Sequence, residues 1–339
     1  MDFNLLERLC LANGVSGFEN EVRGIILEEI KDCVDDVNVD IMGNISAFKK
    51  GRNTSKIRLL LSAHMDEVGF IINHITNDGF LKFSSIGSTL VLVLLGKKVS
   101  IGKNKIPGII GLKPIHLSGE SERKNIPNLD ELFIDIGVSS KKEAEKYVKV
   151  GDYAVFNSIF YRQNSSIISK ALDDRAGCAI LIDLIKKDLE FDLYFSFVVQ
   201  EEIGLRGAKT ATYALKPDAA IVVESTTACD ILGIESEKRI CILGDGPVLA
   251  YADKMTIYDK KYVNSALNLA QSNGVKAQLK RFVSGANDCG EIHVSRSGVR
   301  SVSLSLPCRY LHSAFSVVNV NDIRATEDLL DLLYKDILA

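Results

Sequence analysis

The stretch DLYFSFVVQEEIGLRGAKTA, residues 192–211, runs from an unbroken apolar segment into two adjacent acids and then two glycines. Leu193, Phe195, Phe197, Val198 and Val199 leave no polar alternation, the pattern of a strand covered on both faces. AAIVVES (219–225) repeats the pattern, and RSVSLSLP (300–307) supplies another strand. Between and after them lie helical patterns: AGCAILIDLIKKD (176–188), KYVNSALNLAQSNG (261–274) and DIRATEDLLDLLYKDIL (322–338). Strands alternating with helices predict an α/β fold, a layered mixed sheet with helices on both faces. Glu201 and Glu202 then pose a chemical question. Two buried carboxylates side by side are costly unless a cation or a proton compensates. Either they open a solvated helix, or they form half of a metal-assisted site.

Working outward, the first segment pairs an amphipathic stretch, Phe18 to Ile30, with strand-like pieces that end at IRLLLSAHMDEVGFII (57–72). From about Asn73 to Arg162 the texture changes to short strand-like runs punctuated by glycine: GFLKFSSIG, LVLVLLGKKVSIG, KIPGIIGL and ELFIDIGV. Such runs predict a small β-barrel or sandwich. The expected organisation is a discontinuous catalytic domain, residues 1–70 and 165–339, interrupted by a β-rich inserted domain, residues 73–162.

The 339 residues are 46% hydrophobic and 25% charged, with a formal net charge of −3. That balance gives no reason to expect nucleic acid or an anionic membrane as partner. No run approaches the roughly 18 apolar residues of a membrane span, and the start MDFNLLERLC reads as no signal peptide. Seven cysteines without a C-x-x-C pair read as buried thiols in a reducing compartment, so the cytoplasm is expected.

The histidines number five. His64 closes an apolar strand, and Asp66, two residues on, points to the same side at strand spacing. A carboxylate there orients a metal-bound imidazole and raises its basicity. Asp173 and Asp174 precede a helix, where acids also serve as ordinary caps. Glu224 ends the strand AAIVVE, and His312 follows the last apolar strand. Singly, each has a bland reading. Together, five strand or near-strand ends deliver carboxylates and imidazoles to the edge where open α/β sheets build sites. Two histidines with three or four carboxylates make a divalent-metal site, and the lack of cysteine argues against a closed structural zinc. A shared carboxylate would permit two cations.

The ordered series AHMDEVGF, ALDDRAG, QEEIGLRGA, VVES and RYLHS resembles the glutamyl-aminopeptidase and tetrahedral-aminopeptidase family of cytosolic metallopeptidases. GVSGFENEVR, DIMGNISAFKKG, ELFIDIGVSSKKEAEKYVKVGD and GVRSVSLSLPCRYLHS extend the resemblance over nearly the whole chain. The resemblance implies a di-zinc-peptidase-like domain with a β-barrel-like insert, and two divalent metal ions per subunit, zinc or cobalt, with manganese also compatible. His64 and Glu224 would hold one ion, Glu202 and His312 the other, and Asp173 would bridge both. Asp66 would orient His64, and Asp174 would follow an unusual peptide bond. Glu201 would be the general base acting on a di-metal-bridging water. The implied activity is removal of N-terminal residues from short peptides. The implied assembly is a homo-oligomer, from a dimer up to a tetrahedral dodecamer, with the insert serving contacts and substrate access.

This chain departs from the family pattern at three places. Glu224 stands where relatives commonly carry Asp, GANDCG (285–290) replaces a Thr-Asp-Ala run, and Leu92 stands near a usual Gln. His116 falls in a recurring Lys-Pro-x-His segment, and Arg309 beside His312 is one candidate cation for an acid-preferring pocket. Competing readings are a metal-dependent N-acyl amino acid deacylase or carboxypeptidase, a glycosidase suggested by the paired glutamates, and a non-catalytic oligomeric scaffold.

Overall fold

In a computed structural model the segment 192–211 opens with the strand Leu193–Val198, and its apolar side chains are buried. The structure describes residues 1–117, 119 and 124–339; residues 118 and 120–123, within the expected insert, lie outside the described residues. Leu193–Val198 runs parallel to Leu59–His64, which is parallel to Ala219–Thr227, which is parallel to Arg300–Cys308. Ile45–Lys49 and Asp36–Val39 extend one side antiparallel, and Val248–Leu249 and Gln278–Leu279 complete the other, giving eight strands in a mixed sheet.

Every residue of Leu59–His64 is buried, so both faces of the sheet are covered. Leu172–Ile185 packs on the central strands, Phe3–Leu11 and Asn20–Ile30 pack against that helix, and Val320–Leu338 packs against it and on Arg300–Cys308. Arg206–Leu215 and Cys289–Ile292 form a second helical group on the sheet. Each fully buried Leu, Ile or Phe contributes about 1.5–3 kcal/mol relative to an exposed one, so this core dominates stability. No helix among the described residues is long and apolar enough to cross a membrane.

The chain leaves the sheet just after His64 and enters a closed six-stranded barrel, ordered Gly69–Ile75, Leu81–Ile86, Phe133–Asp135, Ile106–Gly111, Lys98–Ile101 and Tyr153–Phe156. The barrel has its own core, in which Phe70 meets Phe83 and Phe156 edge-on at 5.0 and 5.4 Å between ring centroids. One expected strand divides. In LVLVLLGKKVSIG the first half is a single 3-10 turn, Val91–Val93, and extended structure begins at Lys98. Gly96 takes φ +71°, which turns the chain and lets Leu94, Val99 and Ile101 reach the barrel core. Leu90 and Leu92 are left exposed.

A three-stranded sheet, Tyr161–Gln163, Ser166–Ser169 and Ser316–Asn319, receives the chain as it returns from the barrel. It places Asp173 and His312 beside the ends of the parallel strands.

Candidate active site

Four parallel strands end along one edge of the sheet, and the site is assembled there. His64 is the last residue of its strand. Glu224 lies inside Ala219–Thr227, in register with Ser305. His312 follows Arg300–Cys308 by four residues and takes φ +57°. Glu201 and Glu202 do not open a helix, since the helix begins at Arg206. They occupy a turn bounded by Gln200 and Leu205, with φ of +58° and +57°. Gly207 lets this turn close against the strand, because a Cβ there would sit 2.3 Å from the Val199 carbonyl oxygen.

Asp173 stands between the two imidazoles. Its Oδ1 lies 3.5 Å from His64 Nε2 and its Oδ2 lies 3.5 Å from His312 Nε2. His64 Nε2 is also 3.3 Å from Glu224 Oε1, and His312 Nε2 is 3.2 Å from Glu202 Oε2. Two imidazole–carboxylate pairs therefore share one aspartate. The peptide bond between Asp173 and Asp174 is cis, and both residues depart from helical angles inside Leu172–Ile185. Asp174, fully buried, accepts from Gly177 N–H at 3.1 Å. Its carboxylate groups with His64 and Glu224, one donor atom from each lying within 4.8 Å of the others; Asp173, His64 and Glu202 form a second such triad.

Asp66 performs a different task. Its Oδ1 lies 3.3 Å from His64 Nδ1 and accepts from Glu201 N–H at 3.0 Å. Its Oδ2 accepts from Glu202 N–H at 3.2 Å and from the Ser16 hydroxyl at 2.6 Å. One carboxylate thus touches the histidine and holds the backbone of both glutamates. Burial alone would raise its pKa, but His64, Ser16 and the Glu201 amide outweigh that and keep it below the usual aspartate value.

The remaining electrostatics describe a crowd of acids held by protons and imidazolium. Burial, opposed by His312 and reinforced by Asp173, pushes Glu202 up to about 8. Burial, opposed by His64, pushes Glu224 up to about 7. Burial and nearby Glu224, Asp288 and Glu202 raise Glu201 well above the usual range despite His64. Burial would lower His312, yet Asp173 and Glu202 carry it up to about 9. Asp173, desolvated but flanked by both imidazoles, is lowered. These are the charges a cation would balance. Glu224 Oε2 and Asp174 Oδ2 are buried with no hydrogen-bond partner among the described residues. Imidazole and carboxylate donors with unsatisfied oxygens fit a divalent cation of borderline hardness.

The structure therefore brings His64, Asp66, Asp173, Glu202, Glu224 and His312 together, with Glu201 lining the same cavity of about 440 Å³. Two other candidates stand apart. Arg309 is committed to Asp230, with bonds of 2.7 and 2.6 Å, and does not line that cavity. His116 is exposed in the turn Ile115–Leu117.

Sequence reasoning passed over several neighbours. Asp288 is fully buried near Glu201, and neither of its carboxylate oxygens has a hydrogen-bond partner among the described residues. It lies in GANDCG, a segment noticed only as a departure from a family pattern. Lys280 and Asp253 line the far wall of the cavity without any motif to announce them.

Residues 43–329 match the family model described as M42 glutamyl aminopeptidase. A putative aminopeptidase of Acetivibrio thermocellus is 38% identical, covering 97% of both chains. A lysyl aminopeptidase of Pyrococcus furiosus is 30% identical over 99% of this chain and 98% of its own. The TET1 peptidase of Pyrococcus horikoshii, described as able to assemble into a tetrahedron or a large octahedral shell, superposes with a TM-score of 0.85. It is 33% identical and covers 98% of each chain.

Proposed function

Because this chain belongs to the M42 glutamyl aminopeptidase family and is an aminopeptidase, a peptide-bond hydrolase, we propose that it trims short peptides with two divalent cations per subunit. His64 and Glu224 would hold one and His312 and Glu202 the other, with Asp173 between them. The observation that carries this reading is that Asp173 offers one oxygen to each imidazole–carboxylate pair. When bound, the cations supply the positive charge that acidifies water at neutral pH and polarises a scissile carbonyl; zinc, cobalt and manganese all suit these donors.

The chain's own groups do the rest. Glu201, aimed into the same cavity, accepts the proton of the attacking water and returns it to the leaving amine. Asp66 keeps the Glu201–Glu202 turn and His64 in register through its contacts with each. The catalytic domain, 1–70 and 165–339, would then act with the inserted domain, 73–162, which serves contacts and access. We propose a homo-oligomer, as the shells formed by the Pyrococcus horikoshii relative suggest. The cytoplasm is the proposed compartment for its seven free thiols.

The test is Glu201→Gln. Metal content is expected to persist while peptide turnover drops about 10²–10⁴-fold. Undiminished turnover would remove Glu201 as the base. Cleavage of N-acylated substrates in place of free-amine ones would move the chemistry to a deacylase.

A further inference from the structure

Past His312 the catalytic cavity opens into a second one of about 570 Å³, and the two share Ser88, Thr227, Leu311 and His312. One wall of the second cavity is the barrel loop 85–93, and the other is the turn 310–312. The loop is held against the metal-binding acids. Gly87, at φ +78°, approaches so closely that a Cβ there would lie 3.4 Å from Glu202 Cβ and 2.8 Å from Val68 Cγ1. The Ser85 hydroxyl donates to the Gly87 carbonyl at 3.0 Å and lies 2.9 Å from the Thr89 hydroxyl. Val93 N–H closes the loop on the Leu90 carbonyl at 3.0 Å. Across the cavity, the Ser313 hydroxyl donates to the Tyr310 carbonyl at 2.7 Å and fixes the turn that carries His312. Both walls are set by their own hydrogen bonds.

The two cavities differ in chemistry. The first is lined by Asp173, Glu201, Glu202, Glu224 and Asp253, acids that attract a free N-terminal ammonium. No aspartate, glutamate, lysine or arginine among the described residues lines the second. Its walls present Leu90, Val93, Tyr310 and Leu311, with Leu90 74% and Tyr310 53% exposed. Covering such side chains with apolar surface is favourable in proportion to the area removed from water. A peptide with its amine among the acids and its first carbonyl beside Glu201 must send the rest of its chain away from the wall at buried Tyr258. The way out runs past His312 into the second cavity.

We propose that this second cavity receives the residue after the scissile bond, so that the chain prefers peptides whose second residue is aliphatic or aromatic. Leu90, the most exposed of the apolar lining on a loop seated against Glu202, is the specificity-determining side chain. The inference rests on the aminopeptidase reading of the neighbouring site and adds a preference on the leaving side of the bond.

The experiment uses the metal-loaded full chain and tripeptides Leu-X-Ala, with leucine, phenylalanine, glycine, aspartate or lysine at X. Leu-Leu-Ala and Leu-Phe-Ala are expected to exceed Leu-Gly-Ala about ten- to a hundredfold in kcat/KM, the scale on which an apolar pocket reads missing methylenes. Leu90→Asp should remove that advantage and raise Leu-Lys-Ala above Leu-Leu-Ala; Leu90→Ser should shrink the advantage without favouring lysine. These are ratios within one protein, so a general loss of activity cancels. Equal rates across the wild-type series, or ratios unmoved by both substitutions, would overturn the proposal. So would a Leu90→Asp protein that sediments as a smaller species and slows equally on every peptide, because the leucine would then seat a second copy of the chain. Calorimetric titration of the metal-loaded Glu201→Gln protein with Leu-Leu-Ala and Leu-Gly-Ala separates this inference from the catalytic one. Tighter binding of Leu-Leu-Ala that is lost with Leu90→Ser, beside a wild-type protein that hydrolyses none of the peptides, would sink the aminopeptidase reading and keep the apolar site. Equal binding of the two, with wild-type turnover intact, would sink the apolar site alone.

Discussion

The Lys170 ammonium lies 2.5 and 2.7 Å from the two carboxylate oxygens of Glu67, and both side chains are buried. Arg175 reaches the same carboxylate at 3.3 Å, and the Gly14 amide donates to it at 3.0 Å. Lys170 and Arg175 bracket Asp173, while Glu67 adjoins Asp66. The ion cluster thus ties the segment carrying the shared aspartate to the strand end carrying His64.

Removing one partner should expose the cost of the others. Glu67→Gln leaves two buried cations facing a neutral amide, and a loss of about 3–5 kcal/mol is expected in chemical denaturation at fixed metal concentration. Adding Lys170→Met to it should recover part of that loss, because the uncompensated charge goes with the lysine. If Glu67→Gln unfolds at the wild-type midpoint, the cluster does not hold the segment.

Gly207→Ala tests the close approach behind the acid pair. The added Cβ would lie 2.3 Å from Val199 O and 2.4 Å from Asn44 Oδ1, both fixed atoms of the core. A destabilisation of about 1–3 kcal/mol is expected. Turnover per folded molecule should fall as well, since the displaced segment carries Glu201 and Glu202. Wild-type turnover together with a wild-type melting temperature would show that the turn has room.

The sheet and the barrel were legible because their strands are marked by composition: unbroken apolar runs in one case, short glycine-punctuated runs in the other. The positions of His64, Glu224 and His312 followed, because a parallel sheet puts its strand ends on one edge. LVLVLLG misled, since six apolar residues promise a strand while Gly96 turns the chain and leaves Leu90 and Leu92 outside. Asp288 was not legible for another reason. It takes its meaning from what surrounds it in space, as an unpaired buried carboxylate, and neither spacing nor composition encodes that. The same holds for Ser16, whose bond to Asp66 spans 50 residues.

Asp66→Asn removes the charge facing His64 and replaces one of the oxygens that accept the Glu201 and Glu202 amides with a donor. Metal affinity is expected to fall about 10–100-fold, the usual effect of losing the group that orients a ligating histidine. Ser16→Ala, which takes away a single donor to Asp66, should do less. Residual metal after dialysis against a graded chelator measures both. An Asp66→Asn protein retaining metal like the wild type would leave Asp66 without this role.

The metal-free protein should lose stability as pH rises from about 6.5 to about 9, and the metal-loaded protein should not. His312 is raised from 6.5 to about 9 in the fold by its neighbours Asp173 and Glu202, against the opposing effect of burial. A base raised in this way stabilises fully below its unfolded pKa and loses that contribution as pH climbs through the folded value. Burial raises Glu202 from 4.5 to about 8 and Glu224 from 4.5 to about 7. A raised acid favours the fold most below its unfolded pKa, and its contribution declines until the folded value is passed. All three groups therefore act in one direction at the lower end of this window, until Glu224 is passed at about 7; Glu202 continues to about 8 and His312 alone to about 9. Asp173 is shifted downward, and its contribution changes only in strong acid. Bound cations displace the histidine protons and balance the carboxylates, so the slope should vanish when they are supplied. Melting temperatures at pH 6.5, 7.5 and 9, with chelator and with zinc or cobalt, make the comparison. A chelated protein that is equally stable at pH 6.5 and 9 would mean that these protons are not what holds the acids together.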